Sequence, residues 1–148
     1  MARYVTTIES ALPAEEAFAL LAHFDSVAQW DPGVATAERL DAGELRVGSS
    51  FRVVAALGPR RLPLTYVIGE YVPSQRVALS AVTGDFTSYD VITVEPAQGG
   101  SRVTYDATLR LHGWRRAAEP WLRAAFAVIG RRADAGLRRA LNPAPSAV

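Results

Sequence analysis

The 148-residue sequence has no cysteine, no lysine and only two histidines, His23 and His112. Without cysteine there is no disulfide, no thiolate metal ligand and no thiol nucleophile. Two histidines exclude a multi-histidine metal site, so no metal and no cofactor is expected. All sixteen basic residues are arginine, against fifteen acidic residues, for a net charge of +1. A balance this close to neutral carries no electrostatic footprint for nucleic acid. The missing lysine fits a GC-rich coding bias. No stretch approaches the roughly 18 apolar residues of a membrane span, and the opening MARYVTTIES has no apolar signal core. A cytoplasmic protein is the expectation.

What is present is globular in composition, 49% hydrophobic and 21% charged. The length suits one domain that hides roughly 70% of its unfolded surface, enough for a core or an internal cavity. Tyr4 to Ser10 alternates as a strand, with Tyr4, Thr6 and Ile8 on one face. Pro13, Glu15 and Glu16 open a first short helix; Asp25 to Trp30 suggests a second, ended by Asp31-Pro32-Gly33. From Val34 to Leu111 short extended runs alternate with turns, over 34–40, 49–57, 62–72, 76–83, 86–95 and 101–111. The last is the clearest: Val103, Tyr105, Ala107, Leu109 and Leu111 oppose Arg102, Thr104, Asp106, Thr108 and Arg110. Such a strand has one buried and one wet face.

Trp114 to Leu141 has helical period, with Ala118, Trp121, Leu122, Ala125, Phe126, Ile129, Ala133 and Leu137 as its apolar stripe. Pro120 either starts this helix or kinks it. Asn142-Pro143 stops it, leaving a domain of residues 1–142 and a disordered tail of 143–148. The expected class is α+β: a curved antiparallel sheet of six to seven strands, two short helices after strand one, and a long C-terminal helix. That helix is the only element long enough to cover the sheet. A curved sheet wrapped around one helix leaves a space suited to a small molecule.

Several segments then combine. They are Ala11-Leu12-Pro13-Ala14-Glu15-Glu16-Ala17-Phe18 after Ile8, Phe24-Asp25, and Gln29-Trp30-Asp31-Pro32-Gly33-Val34. Val47-Gly48-Ser49-Ser50-Phe51, Glu70-Tyr71-Val72-Pro73-Ser74-Gln75-Arg76-Val77, Gly99-Gly100-Ser101-Arg102-Val103-Thr104-Tyr105 and Leu111-His112-Gly113 follow in order. In this order the chain resembles the START-like helix-grip superfamily (SRPBCC proteins), in its polyketide cyclase/dehydrase and lipid transport branch. The resemblance covers nearly the whole chain and implies a helix-grip fold. The superfamily includes carriers, cyclases, hydrolases and sensors, so function has to be argued from the site.

The leading expectation is binding or transport of a small hydrophobic or amphipathic ligand (a lipid, polyketide or aromatic metabolite) in an internal cavity. Trp30, Tyr66, Ile68, Leu79, Phe86, Tyr105, Leu109, Trp121, Phe126 and Ile129 are the expected ligand-binding residues, although a packed core needs the same period. Trp30 also suits a structural role pinning the helices to the sheet, with Asp31 in a turn. Asp90 enters the cavity if Ile92 and Val94 face inward, where its raised pKa would suit an acid or base. If Tyr89 and Val91 face inward instead, Asp90 is solvated. Both faces carry apolar residues, so the register stays open, with the surface reading favoured.

The alternative is a cyclase/dehydratase-type enzyme, with Asp90 or His112 as base and Tyr105 as donor. An inward ionisable group within hydrogen-bond reach of a second one would favour it. A third reading is an interaction or sensor module with a filled core. Glu70 is expected at the rim, in register with Tyr66 and Ile68. The arginines of the last helix are expected on a solvated face, with transient membrane contact during loading left open. A monomer or homodimer is expected.

Overall fold

The computed structural model describes residues 1–143. The expected tail lies, from residue 144 on, outside the described residues. Seven strands form one sheet: β1 (Ala2–Ser10), β2 (Val34–Arg39), β3 (Ser50–Leu57), β4 (Arg60–Val72), β5 (Arg76–Val82), β6 (Phe86–Ala97) and β7 (Gly100–Leu111). Their order is β1-β7-β6-β5-β4-β3-β2, antiparallel throughout. Sequential hairpins build β2 to β7, and β1 closes against β7 with Thr6 opposite Tyr105. Between β1 and β2 lie α1 (Ala14–Ala22), a 3-10 turn (Phe24–Ser26) and the one-turn α2 (Val27–Trp30).

The core sits between the concave face of the sheet and these helices. Ile8, Phe18, Leu21, Phe51, Ile68, Leu79, Ile92 and Val103 are buried there. Phe24 contacts Phe51 and Tyr66, with ring centroids 6.2 and 4.9 Å away. A bulge in β4 between Ile68 and Glu70 shifts the register by one residue. Expected in line with Tyr66 and Ile68, Glu70 is therefore turned to the surface, where it pairs with Arg76 at 2.9 Å. The next residue, Tyr71, turns inward onto Phe18. A single extra residue flips every later side chain of a strand.

The C-terminal segment begins as a 3-10 helix (Gly113–Ala118) and continues as α3 (Glu119–Leu141). Pro120 lies in the first turn of α3, where its missing N–H is harmless, so it starts the helix and does not kink it. The far end is pinned to β1: the Ser10 hydroxyl donates to the Leu141 carbonyl at 2.7 Å, and the Asn142 side chain accepts from Ala11 N–H and donates to the Glu9 carbonyl. Gly136 lets α3 press against α2, since a methyl group there would run into the Trp30 carbonyl. Only Gly136, Leu137 and Leu141 of α3 are buried. Its N-terminal half is less buried and borders a gap between helix and sheet. Among the described residues, no helix is long and apolar enough to cross a membrane.

Candidate functional site

The gap is a cavity of about 150 Å3 between the sheet, α2 and α3. From the sheet, Tyr66 of β4, Ser88 and Asp90 of β6, and Tyr105 and Ala107 of β7 point into it. Phe126, Ile129, Ala133 and Leu137 of α3 form the opposite, apolar wall. Trp30 and Asp31 close the α2 side.

Asp90 overturns the favoured surface reading. It is only 7% exposed, and it pairs across the sheet with Leu79 and Ala107. The inward face of β6 is set by Ser88, Asp90, Ile92 and Val94, all buried. Tyr89 takes the other face, which its amphipathic ring tolerates because the phenol stays in water. The two apolar patterns on β6 were therefore of unequal weight, and only the neighbouring strands reveal which one is covered.

Around Asp90 the inward polar groups interlock. The Tyr105 hydroxyl donates to Asp90 Oδ2 at 2.6 Å, and the Tyr66 and Ser88 hydroxyls share a hydrogen bond of 2.8 Å. Burial pushes the Asp90 carboxyl up from 3.8 to about 7; the bond from Tyr105 holds it back, and the charges of Asp31 and Asp106 add to the rise. Burial, reinforced by the charge of Asp90, raises both Tyr66 and Tyr105 well above the ordinary phenol range, so both remain neutral donors. Asp31 is also raised by burial, against the hydrogen bond that its Oδ1 accepts from Gly33 N–H at 2.8 Å. A carboxyl that changes charge near neutral pH, held by a phenol, can accept or return a proton.

Trp30 plays both parts considered for it. Its ring stands edge-on to Tyr105 at 5.6 Å and packs α2 onto the sheet, and it also borders the cavity. The indole Nε1 is buried without a hydrogen-bond partner. Asp31 occupies the expected turn and borders the same space.

Among the other expected ligand-binding residues, Tyr66, Tyr105, Phe126 and Ile129 border the cavity. Ile68 and Leu79 are fully buried in the core away from it. Phe86 and Leu109 are half-buried and stand off it. Trp121 is 82% exposed and is not a wall residue. At about 100° per residue it lies roughly 160° around the helix from Leu137, so the two cannot share a face. His112 follows inward-facing Leu111 and turns to the outer side, where its Nε2 meets the Thr87 hydroxyl at 2.8 Å. It cannot act as a base in the cavity.

One side of the site, made by Tyr4, Thr6, Gly130 and Asp134, is absent from the residues expected to bind ligand. Thr6 donates to Asp134 Oδ1, and the Tyr4 ring occupies the space that a side chain at Gly130 would fill. The signal was present in part, because residues 130, 133, 134 and 137 share one helix face. Among the described residues, no cluster of histidine, aspartate and glutamate could hold a metal ion.

Known proteins share this architecture. The crystal structure of TTHA0849 from Thermus thermophilus is similar over 95% of each chain, with a TM-score of 0.74 and 17% identity. Protein CV1439 from Chromobacterium violaceum gives 0.67 and 15% over 96% of this chain and 98% of its own. The di-domain ARO/CYC BexL from the BE-7585A biosynthetic pathway gives 0.73 and 12%, over 97% of this chain and 50% of its own. At these identities the likeness is one of fold. No curated protein matches the chain. The family model described as polyketide cyclase / dehydrase and lipid transport matches residues 1–142. The chain therefore belongs to the polyketide cyclase / dehydrase and lipid transport family, within the SRPBCC superfamily.

Proposed function

We propose that the protein binds a small, mainly apolar molecule in the cavity between α3 and the sheet. The observation that carries this reading is the cavity itself: an apolar wall on the helix side facing a compact group of polar side chains on the sheet side. Burial of ligand area supplies the driving force, at roughly 25 cal/mol per Å2, and the polar groups orient the molecule. Membership of a family described by both lipid transport and cyclase/dehydrase activity supports a ligand site without choosing its ligand. Native mass spectrometry of the freshly purified protein, followed by solvent extraction, tests it. A co-purifying apolar molecule is expected. Failure of any apolar probe to bind would refute it.

One observation favours chemistry on the bound molecule. The inward carboxyl of Asp90 lies within hydrogen-bond reach of a second ionisable group, Tyr105. In a dehydration, Asp90 would take the proton beside a carbonyl, and the Asp90–Tyr105 pair would return one to the departing hydroxyl, releasing water. Asp90→Asn separates the two readings: it keeps shape and an acceptor, so affinity changes little, whereas turnover is lost.

Loading also enters the proposal. Trp114 and Trp121, 78% and 82% exposed, stand beside Arg115, Arg116 and Arg123. Exposed indoles next to cations suit brief contact with an anionic membrane. Sedimentation with anionic vesicles checks this, with loss of binding expected on changing both tryptophans to serine. The protein is proposed to act in the cytoplasm as a monomer or homodimer, which cell fractionation and light scattering test.

A further inference from the structure

The cavity wall shows which of its polar functions are already spent. Tyr66 and Ser88 share one hydrogen bond, Thr6 donates to Asp134, and the Tyr105 hydroxyl is given to Asp90 Oδ2. The Asp31 Oδ1 is held by Gly33 N–H. Among the functions left open, two belong to deeply buried side chains. One is a donor, the Trp30 Nε1–H, in a side chain only 6% exposed and without a partner. The other is Asp90 Oδ1, which no group among the described residues meets and which accepts as the carboxylate and donates as the neutral acid. Buried polar groups are nearly always paired, so an orphan donor on a residue that borders a cavity calls for a partner.

Charge narrows the class further. The chain has sixteen arginines, yet none borders this cavity, and neither does a histidine. Three aspartates do: Asp31, Asp90 and Asp134. A carboxylate or phosphate buried there would lose its hydration and find no counter-ion, a costly arrangement. Size narrows it again, because about 150 Å3 is the volume of an engineered apolar cavity that holds benzene.

Resting on the binding reading above, we infer that the deep site selects a neutral, single-ring molecule bearing two oxygens: a carbonyl that accepts from the Trp30 indole and a hydroxyl that pairs with Asp90 Oδ1. Monocyclic hydroxyaryl ketones have this chemistry. Fatty acids, phosphorylated lipids and fused multi-ring polyketides do not fit the deep site.

Four probes test it on the full chain at pH 6. They are 4-hydroxyacetophenone, the hydrocarbon 4-ethyltoluene of similar shape, the anion 4-hydroxybenzoate, and the two-ring 2-acetyl-6-hydroxynaphthalene. Calorimetry reads affinity, and the 15N–1H indole resonances read the donor. Trp30 is the buried one of the three tryptophans, so its indole signal is recognisable by its slow exchange. The hydroxyketone is expected to bind at least tenfold tighter than each of the other three and to move the Trp30 resonance. Trp30→Phe should cost about tenfold for the hydroxyketone and nothing for the hydrocarbon. Should that variant fail to fold, the wild-type indole shift still decides.

Equal affinities for hydroxyketone and hydrocarbon, with the Trp30 indole unmoved, would overturn the inference and leave the cavity-binding reading standing. Tighter binding of the anion or of the two-ring probe would overturn the charge or size limit in the same way. Absence of binding by all four would overturn both readings.

Discussion

Asp90 makes the stability of the protein depend on pH in an unusual direction. Its carboxyl sits at about 7 in the folded chain, against 3.8 when unfolded. Between these values the folded chain keeps a proton that the unfolded chain has released. Stability must then fall as pH rises from about 4 to about 7, and level off above. At about 1.4 kcal/mol per pH unit, the full effect is roughly 4 kcal/mol, of which roughly 3 kcal/mol falls in the accessible window from pH 5 to 8. Asp90→Asn removes this titration while keeping an oxygen to accept the Tyr105 hydroxyl. The variant should therefore gain on the wild type as pH rises, and be the more stable protein at pH 8. Urea denaturation of both proteins at pH 5, 6, 7 and 8 measures the difference directly. Comparison with the variant cancels the opposite contributions of other carboxylates such as half-buried Asp41, held below its ordinary range chiefly by Arg39. A stability difference that stays flat from pH 5 to 8 would refute the reasoning. So would a variant that loses ground as pH rises, since it would show Asp90 to be better stabilised ionised than neutral.

Tyr105→Phe removes the one donor that meets Asp90 among the described residues. A loss of about 2 kcal/mol is expected at pH 8, where the carboxylate is charged, and a smaller one at pH 5, read from the same urea series. Ala107→Trp puts a large side chain from β7 into the cavity. It should abolish uptake of 4-hydroxyacetophenone in calorimetry, and undiminished uptake would place the ligand elsewhere. Gly136→Ala forces α3 away from the Trp30 carbonyl. A destabilisation of about 1–3 kcal/mol is expected from denaturant unfolding, as for other overpacked contacts. An unchanged midpoint would show that α3 does not depend on that close approach.

Much of the architecture was legible in the sequence, because it rests on local periodicity. The alternation from Val103 to Leu111 identified β7 and its inward face, and Tyr66 and Ile68 did the same for β4 before its bulge. The helical period after Gly113 located α3, from which Phe126 and Ile129 border the cavity. The apolar stripe drawn through α3 was too wide. It took in Trp121, which the geometry of one helix already separates from Leu137. His112 stood one residue past an inward leucine, and strand alternation alone argued against a cavity position.

Local pattern determined the elements, their order and most of their faces, because side-chain period is a property of a single strand or helix. Tertiary structure decided the rest. It decided the register of β6, and with it the burial of Asp90, since only pairing with β5 and β7 shows which of two apolar faces is covered. It decided the bulge that turns Glu70 out, which a one-residue irregularity in pairing creates without any change in composition. It decided that α3 is buried only near its C-terminal end and borders a gap along the rest, which makes a cavity out of residues that could equally have formed a packed core. A cavity is an absence of contact between distant segments, and no periodicity within one segment records it.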